Sequence, residues 1–297
     1  MNRLFKWTAL LSLLMLASCM AEELVDESVP TGKYTYVFQG ACSPQSKVSV
    51  GDKTDGMWPV LWEKGDVLGV FRADGTFVGK ASVGDAYAGC NTARFTMSTN
   101  VALASGETLH FVYPYSSDIT FSDGSFKMSF AAEQSQTASG SSAGIGAYAL
   151  AHSSAVYQGA ETTFVLSHEN AYMKVSLTPG EFVGYSLRGL TLWSKGQTLA
   201  GNVALDVKNG ALEVSESVDY VQKNLSESPV MANGKSYSFW LSVLPEDFSG
   251  KQMYAIVHMT RDEETVTLPI PINGAGKLLK HSVTSISLPA LSKSCAP

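Results

Sequence analysis

Residues 67–83 read VLGVFRADGTFVGKASV, and this stretch decides the fold class. Val67-Leu68-Gly69-Val70-Phe71 is an apolar strand-like run, and Asp74-Gly75 is a dipeptide that tolerates the positive φ of a tight hairpin turn. Thr76 to Val83 then returns as a second strand. The same grammar extends outward from here. Tyr34-Thr35-Tyr36-Val37-Phe38 alternates with a period of two, and Ala93 to Met97, Thr108 to Tyr115 and Ser125 to Phe130 are further strands. Asp55-Gly56 and Asp123-Gly124 add turn dipeptides. No window of this half holds an apolar period of 3.6 residues.

Residues 131–154, AAEQSQTASGSSAGIGAYALAHSS, break the pattern with small and polar side chains and little β-branching. They read as a flexible crossover between domains. Beyond it, strands are expected at Thr162 to Ser167, Ala171 to Leu177, Leu187 to Trp193, Asn202 to Val207, Ser236 to Leu244, Met253 to Thr260, Glu264 to Ile272 and Ser282 to Leu288. Asn209-Gly210 and Asn233-Gly234 mark turns, and Glu216 to Asn224 is expected to make a single helical turn. Pro269 and Pro271 cannot donate to a ladder, so their strand should be an edge. Short strands at intervals of roughly 8 to 12 residues predict an all-β protein of two tandem antiparallel β-sandwiches of Greek-key type. The domains are placed at 33–150 and 151–297.

Composition agrees with an exported β protein. Hydrophobic residues make up 45% of the 297-residue chain and charged residues 16%, which excludes intrinsic disorder. The formal charge of -6 excludes a nucleic-acid surface. Residues 1–19, MNRLFKWTALLSLLMLASC, form an export signal: Arg3 and Lys6 precede an apolar run too short to span a bilayer, and Leu16-Ala17-Ser18-Cys19 has the small residues that a lipoprotein signal peptidase accepts. Residues 1–18 are thus expected to be removed, leaving Cys19 lipidated and the protein anchored to a membrane outside the cytoplasm. Residues 19–32 are an acidic solvated tether. Cys42, Cys90 and Cys295 are widely and irregularly spaced, so one Cys42–Cys90 bridge and three free thiols stay equally open.

Nothing in the sequence assembles a catalytic centre. His110, His152, His168, His258 and His281 include no two at ligand spacing, and His110 reads as a packed or rim histidine. His168 reads as a turn residue at a strand end. Residues 52–56, DKTDG, lack the ligand set of a calcium loop. No nucleophile elbow, phosphate loop, zinc helix or dinucleotide fingerprint occurs, and no cofactor or metal is expected. Trp58, Trp62, Trp193 and Trp240 are scattered and read as core packing, with a sugar-stacking platform as the alternative.

One block stands out: Lys53-Thr54-Asp55-Gly56, then Val60-Leu61-Trp62-Glu63-Lys64-Gly65-Asp66-Val67-Leu68-Gly69-Val70-Phe71, and later Phe111-Val112-Tyr113-Pro114-Tyr115. Gly65-Asp66 turns the chain, Asp66 can bind nearby backbone, and Val67, Phe71 and one face of Trp62 are expected in the core. The block resembles the fimbrillin-like lipoproteins of Bacteroidetes. The likeness continues through Gln134, Phe164-Val165-Leu166-Ser167-His168, Ala171-Tyr172-Met173-Lys174-Val175 and Ser236 to Pro245. The acidic run after Cys19 is similar to that of surface-exposed lipoproteins of the same bacteria.

The resemblance implies transthyretin-like sandwiches and a non-enzymatic role as a fimbrial subunit, anchored in the outer membrane through Cys19. It also implies strand exchange with other subunits, and adhesion to a receptor on a host or bacterial surface. Polymerising members are trimmed after an arginine in the first domain. Here the first arginine after Cys19 is Arg72, inside a hairpin, so an anchor, tip or accessory subunit is expected. A glycan-binding outer-membrane lipoprotein of a nutrient-uptake system is the alternative.

Overall fold

The computed structural model describes residues 32–42, 49–50, 60–273 and 276–295. The signal peptide at 1–18, Cys19, the tether up to residue 31, residues 52–56 and Trp58 lie outside the described residues. The first strands are β1 (Tyr34–Cys42), β2 (Ser49–Val50), β3 (Val60–Leu61), β4 (Val67–Arg72), β5 (Phe77–Val83), β6 (Thr92–Thr99) and β7 (Thr108–Tyr113). There follow β8 (Thr120–Ser122), β9 (Ser125–Phe130), β10 (Glu133–Gln136), β11 (Ala151–Val156), β12 (Thr163–His168), β13 (Ala171–Leu177), β14 (Ser186–Trp193) and β15 (Ala200–Asp206). The last are β16 (Leu212–Val218), β17 (Tyr220–Leu225), β18 (Tyr237–Val243), β19 (Glu246–Asp247), β20 (Met253–Arg261), β21 (Glu264–Ile272), β22 (Lys277–Leu278) and β23 (Val283–Ser287).

The chain is all-β, as the alternation predicts. The first unit, however, closes into a ring in the order β1-β12-β11-β7-β4-β5-β6, where a sandwich was expected. Alternation cannot separate the two, because both turn one face of every strand inward. Inside the ring Phe111 stacks on Phe164 at 4.1 Å, Phe38 meets Phe111 edge-on at 5.3 Å, and Trp62 meets Phe95 edge-on at 4.8 Å. Gly40 lets these rings approach: a Cβ there would lie 2.4 Å from Phe164 and 2.6 Å from Phe95.

Strands β4 and β7 are buried on both faces, which explains why Leu68-Gly69-Val70-Phe71 is a continuous apolar run. Leu68 and Val70 face the ring interior. Phe71 points outward, into a small cluster with Val112, Ile119 and Phe126 beneath the β8–β9 hairpin. Trp62 is in the ring core as expected, whereas Phe71 belongs to this separate cluster and Val67 is only half-buried.

The second unit packs a five-stranded sheet, β10-β17-β14-β20-β21, against a three-stranded sheet, β18-β13-β23, and a four-stranded sheet, β16-β15-β9-β8. Leu190, Leu192, Val257, Met173, Phe239 and Val203 share this core. Strand β21 lies at the edge that Pro269 and Pro271 require. The pairing crosses the boundary placed after residue 150 in both directions: β8, β9 and β10 join the second unit, while β11 and β12 complete the ring.

Two expectations are corrected. The ring, the five-stranded sheet and the three-stranded sheet are mixed, because β1 with β12, β10 with β17 and β13 with β23 are parallel. Each of these pairs joins strands far apart in sequence, where no turn signal reports direction. The stretch from Glu216 to Asn224 is not helical but holds the end of β16 and most of β17. Glu216 takes a φ of 49° where the register between β15 and β16 shifts, so the polar run marks a β-bulge.

Phe111 is fully buried between Phe38 and Phe164. Phe111→Ala should cost about 3–5 kcal/mol of stability, read as a lower midpoint in guanidinium unfolding with the slope unchanged.

Candidate functional site

The turn at Gly65-Asp66 anchors one side of the junction between the units. Asp66 Oδ2 accepts the Glu63 N–H at 2.7 Å and Oδ1 accepts the Tyr113 hydroxyl at 2.7 Å, so the expected backbone bond gains a second partner across the ring. Burial raises the Asp66 carboxyl, while those two hydrogen bonds act against the rise. Glu63 reaches the second unit, where its carboxylate accepts the Gly144 N–H at 2.9 and 3.1 Å. Gly144 has a φ of 75° and opens the short 3-10 turn Ile145–Tyr148. Ile145 packs on Tyr172 and Trp240, with Val283 beside them.

Trp240 stands on β18, the edge strand of the three-stranded sheet. A sheet edge presents unpaired N–H and C=O groups that must be satisfied or covered. Here residues 134–140 cover it with side chains. Gln134 Oε1 accepts the Ser242 N–H at 3.1 Å and its Nε2 donates to the Ser242 carbonyl at 2.7 Å. Gln136 Oε1 accepts the Trp240 N–H at 2.9 Å and its Nε2 donates to the Ser238 carbonyl at 3.1 Å. Ser139 Oγ accepts the Ser238 N–H at 2.9 Å, and the Gly140 N–H donates to the Ser238 carbonyl at 2.8 Å. A primary amide offers the same acceptor and donor as a peptide unit, so two glutamines two residues apart imitate a neighbouring strand. The stretch expected to be a flexible crossover is therefore an edge strap.

The strap is held from its other side by β17, which pairs in parallel with β10. Lys223 on β17 is 1% exposed; its Nζ donates to the Ser135 carbonyl at 3.3 Å and lies 4.4 Å from the Tyr148 ring centroid. Burial lowers its pKa to about 7. The Tyr148 hydroxyl in turn accepts the Ser135 N–H at 2.8 Å. At the opposite edge of the three-stranded sheet, β23 pairs with β13 alone among the described residues.

The other residues singled out in the sequence have structural partners. His168 Nδ1 lies 3.2 Å from the Tyr172 hydroxyl, and His258 Nε2 lies 2.8 Å from Thr191 Oγ1. The His281 N–H donates to the Asn170 carbonyl at 3.1 Å. The fold does join one pair that spacing hides, since His110 and His152 meet at 3.3 Å across β7 and β11. Trp62 and Trp240 are buried, and Trp193 lies 5.6 Å from Tyr254, so these three form no common sugar platform. Cys42 and Cys90 are not joined in a disulfide, and burial pushes the Cys42 thiol well up. The side chain of Cys295 lies outside the described set.

A family model described as fimbrillin-like matches residues 49–287. A search of curated proteins finds no match. Among solved structures, a candidate cell adhesion protein from Bacteroides ovatus is similar at 14% identity and a TM-score of 0.52, over 87% of this chain and 94% of that one. One from Bacteroides uniformis aligns at 13% identity and a TM-score of 0.48, over 88% and 94%. The first likeness concerns the fold.

Two measurements check the strap. Gln134→Ala strips both edge partners from Ser242 and should cost about 1–3 kcal/mol, with faster hydrogen exchange at the Ser242 amide. An unfolded lysine keeps its proton to near pH 10.4, whereas folded Lys223 releases it near pH 7. The unfolded state therefore binds more protons between these values, and Lys223 makes stability rise with pH there. Lys223→Met should remove this rise and raise stability at pH 7 by on the order of 1–4 kcal/mol, read from urea midpoints between pH 7 and 10.

Proposed function

The chain belongs to the fimbrillin-like family, and we propose that it is a non-enzymatic subunit of a cell-surface fimbria, joined to its neighbours by strand exchange at β18. The observation that carries this reading is the way the β18 edge is satisfied. Its outward groups bond mainly to the Gln134, Gln136 and Ser139 side chains, so a strand from a neighbour can replace the strap and restore a regular ladder. Adhesion, the role in the names of the Bacteroides proteins of similar fold, is consistent with such a subunit.

Within the fimbria we assign it the anchor, tip or accessory position, held to the outer membrane by lipid on Cys19. Arg72 supports this choice. It ends β4, paired to Leu109; Nη2 donates to the Ala102 carbonyl at 2.7 Å and Nε lies 3.2 Å from Glu107 Oε2. A cut after Arg72 would release β1 and β4 together, two of the seven ring strands, so trimming there is incompatible with the ring.

The test uses sheared surface fibres from cells producing either the wild type or Ser139→Cys/Ser238→Cys. Ser139 Oγ accepts the Ser238 backbone N–H, so the two substituted residues are neighbours across the strap and edge and a disulfide between them would lock the strap. Wild-type chains should appear in fibres with an acylated Cys19 at their N-terminus. The locked variant should be missing from them and return on reduction. Fibres containing the oxidised variant at wild-type levels overturn exchange at β18, and fibre chains that begin at residue 73 overturn the anchor assignment.

A further inference from the structure

On the outer face of the ring, beneath the β8–β9 hairpin, three polar side chains meet in an apolar setting. Strand β7 pairs antiparallel with β11, His110 opposite Ser154 and Val112 opposite His152. The period of two puts all four on one face. His110 Nδ1 lies 3.3 Å from His152 Nε2 and 2.7 Å from Ser154 Oγ, and Ser154 Oγ lies 3.4 Å from His152 Nε2. The Phe126 ring centroid is 5.7 Å from that of His110 and 5.9 Å from that of His152, and Phe121 stacks on His110 at 6.2 Å. The imidazoles are 5% and 9% exposed, while Ser154 is exposed and leaves the trio a way out to solvent.

We propose that His110 and His152 bind a divalent cation of the zinc and copper class, with water completing its coordination and Ser154 orienting that water. Imidazole binds Zn²⁺ at about 2.0–2.1 Å, so two nitrogens 3.3 Å apart subtend about 107° at a shared metal, close to tetrahedral. Nitrogen donors select this class over calcium and magnesium. The Ser154 hydroxyl, 2.7 Å from His110, is nearer than a tetrahedral edge and is better placed to orient a metal-bound water than to ligate directly. Burial lowers the pKa of both imidazoles, that of His152 to about 4. Bound metal would tie β7 to β11, and β11 carries the chain back into the ring after residue 150.

The proposal is independent of the fimbrial reading, since it is tested on the purified, chelator-treated chain. Calorimetric titration with Zn²⁺ at pH 7.5 should show one equivalent bound, and His110→Gln and His152→Gln should each weaken it at least tenfold. His281→Gln should leave it unchanged. Binding should also weaken as pH falls and protons compete for the two nitrogens. Should either variant unfold, the wild type alone decides by NMR, because Zn²⁺ should shift the ring signals of His110 and His152 and leave those of His168 and His258 in place. No saturable binding, binding indifferent to both substitutions, or ring shifts confined to other histidines overturns the site.

Discussion

Every strand in a sheet needs partners for its backbone N–H and C=O groups on both sides, and this structure meets the demand differently in its two units. The ring has no edge to satisfy, because β1 accepts β6 on one side and β12 on the other. The second unit has open sheets, and two of its edges carry a device. Strand β21 holds prolines that have no donor to offer, and β18 is covered by amide and hydroxyl side chains. Replacing backbone partners by side chains exchanges a cooperative ladder for separately held contacts. A ladder must be broken as a unit, whereas the strap can be released one residue at a time.

The strap also explains two buried polar groups that packing alone would disfavour. Gln134 and Lys223 face each other across the parallel β10–β17 pair, where apolar side chains of similar size would pack at lower cost. Gln134 recovers its desolvation through three bonds, to Ser242 and Ala131. Lys223 recovers less, and its lowered pKa records the difference. The pair therefore favours specificity of placement over stability, which suits a segment that holds one sheet edge in register.

Much of the strand content was legible. Ala171–Leu177 and Glu264–Ile272 are read from alternation with their observed limits, and Asp74-Gly75, Asp123-Gly124 and Asn209-Gly210 sit at turns in which Gly75, Asp123, Gly124 and Gly210 have positive φ. Partnership was not legible. Turn chemistry reports only sequence neighbours, so the return of β11 and β12 to the ring, the parallel pairs and the meeting of His110 with His152 left no local trace. Gln134 and Gln136 did leave one, a spacing of two inside a polar run. It is weak, because side-chain amides serve loops equally well. Residues around Glu216 misled for the opposite reason: a polar run without alternation resembles a helical turn when it marks a bulge.

The path of the chain has a consequence for the order in which the protein becomes itself. Synthesis delivers β1 and β4 to β7 first, but the ring needs β12, which ends at His168. Before that point come β8, β9 and β10, and the later partners of β9 and β10, β15 and β17, are made after it. Neither unit can therefore be finished while the other is untouched, and β1 waits with one side bare through more than a hundred residues of elongation. A chain built this way matures late and nearly all at once. A partly made chain therefore exposes half-made sheets rather than a completed first domain.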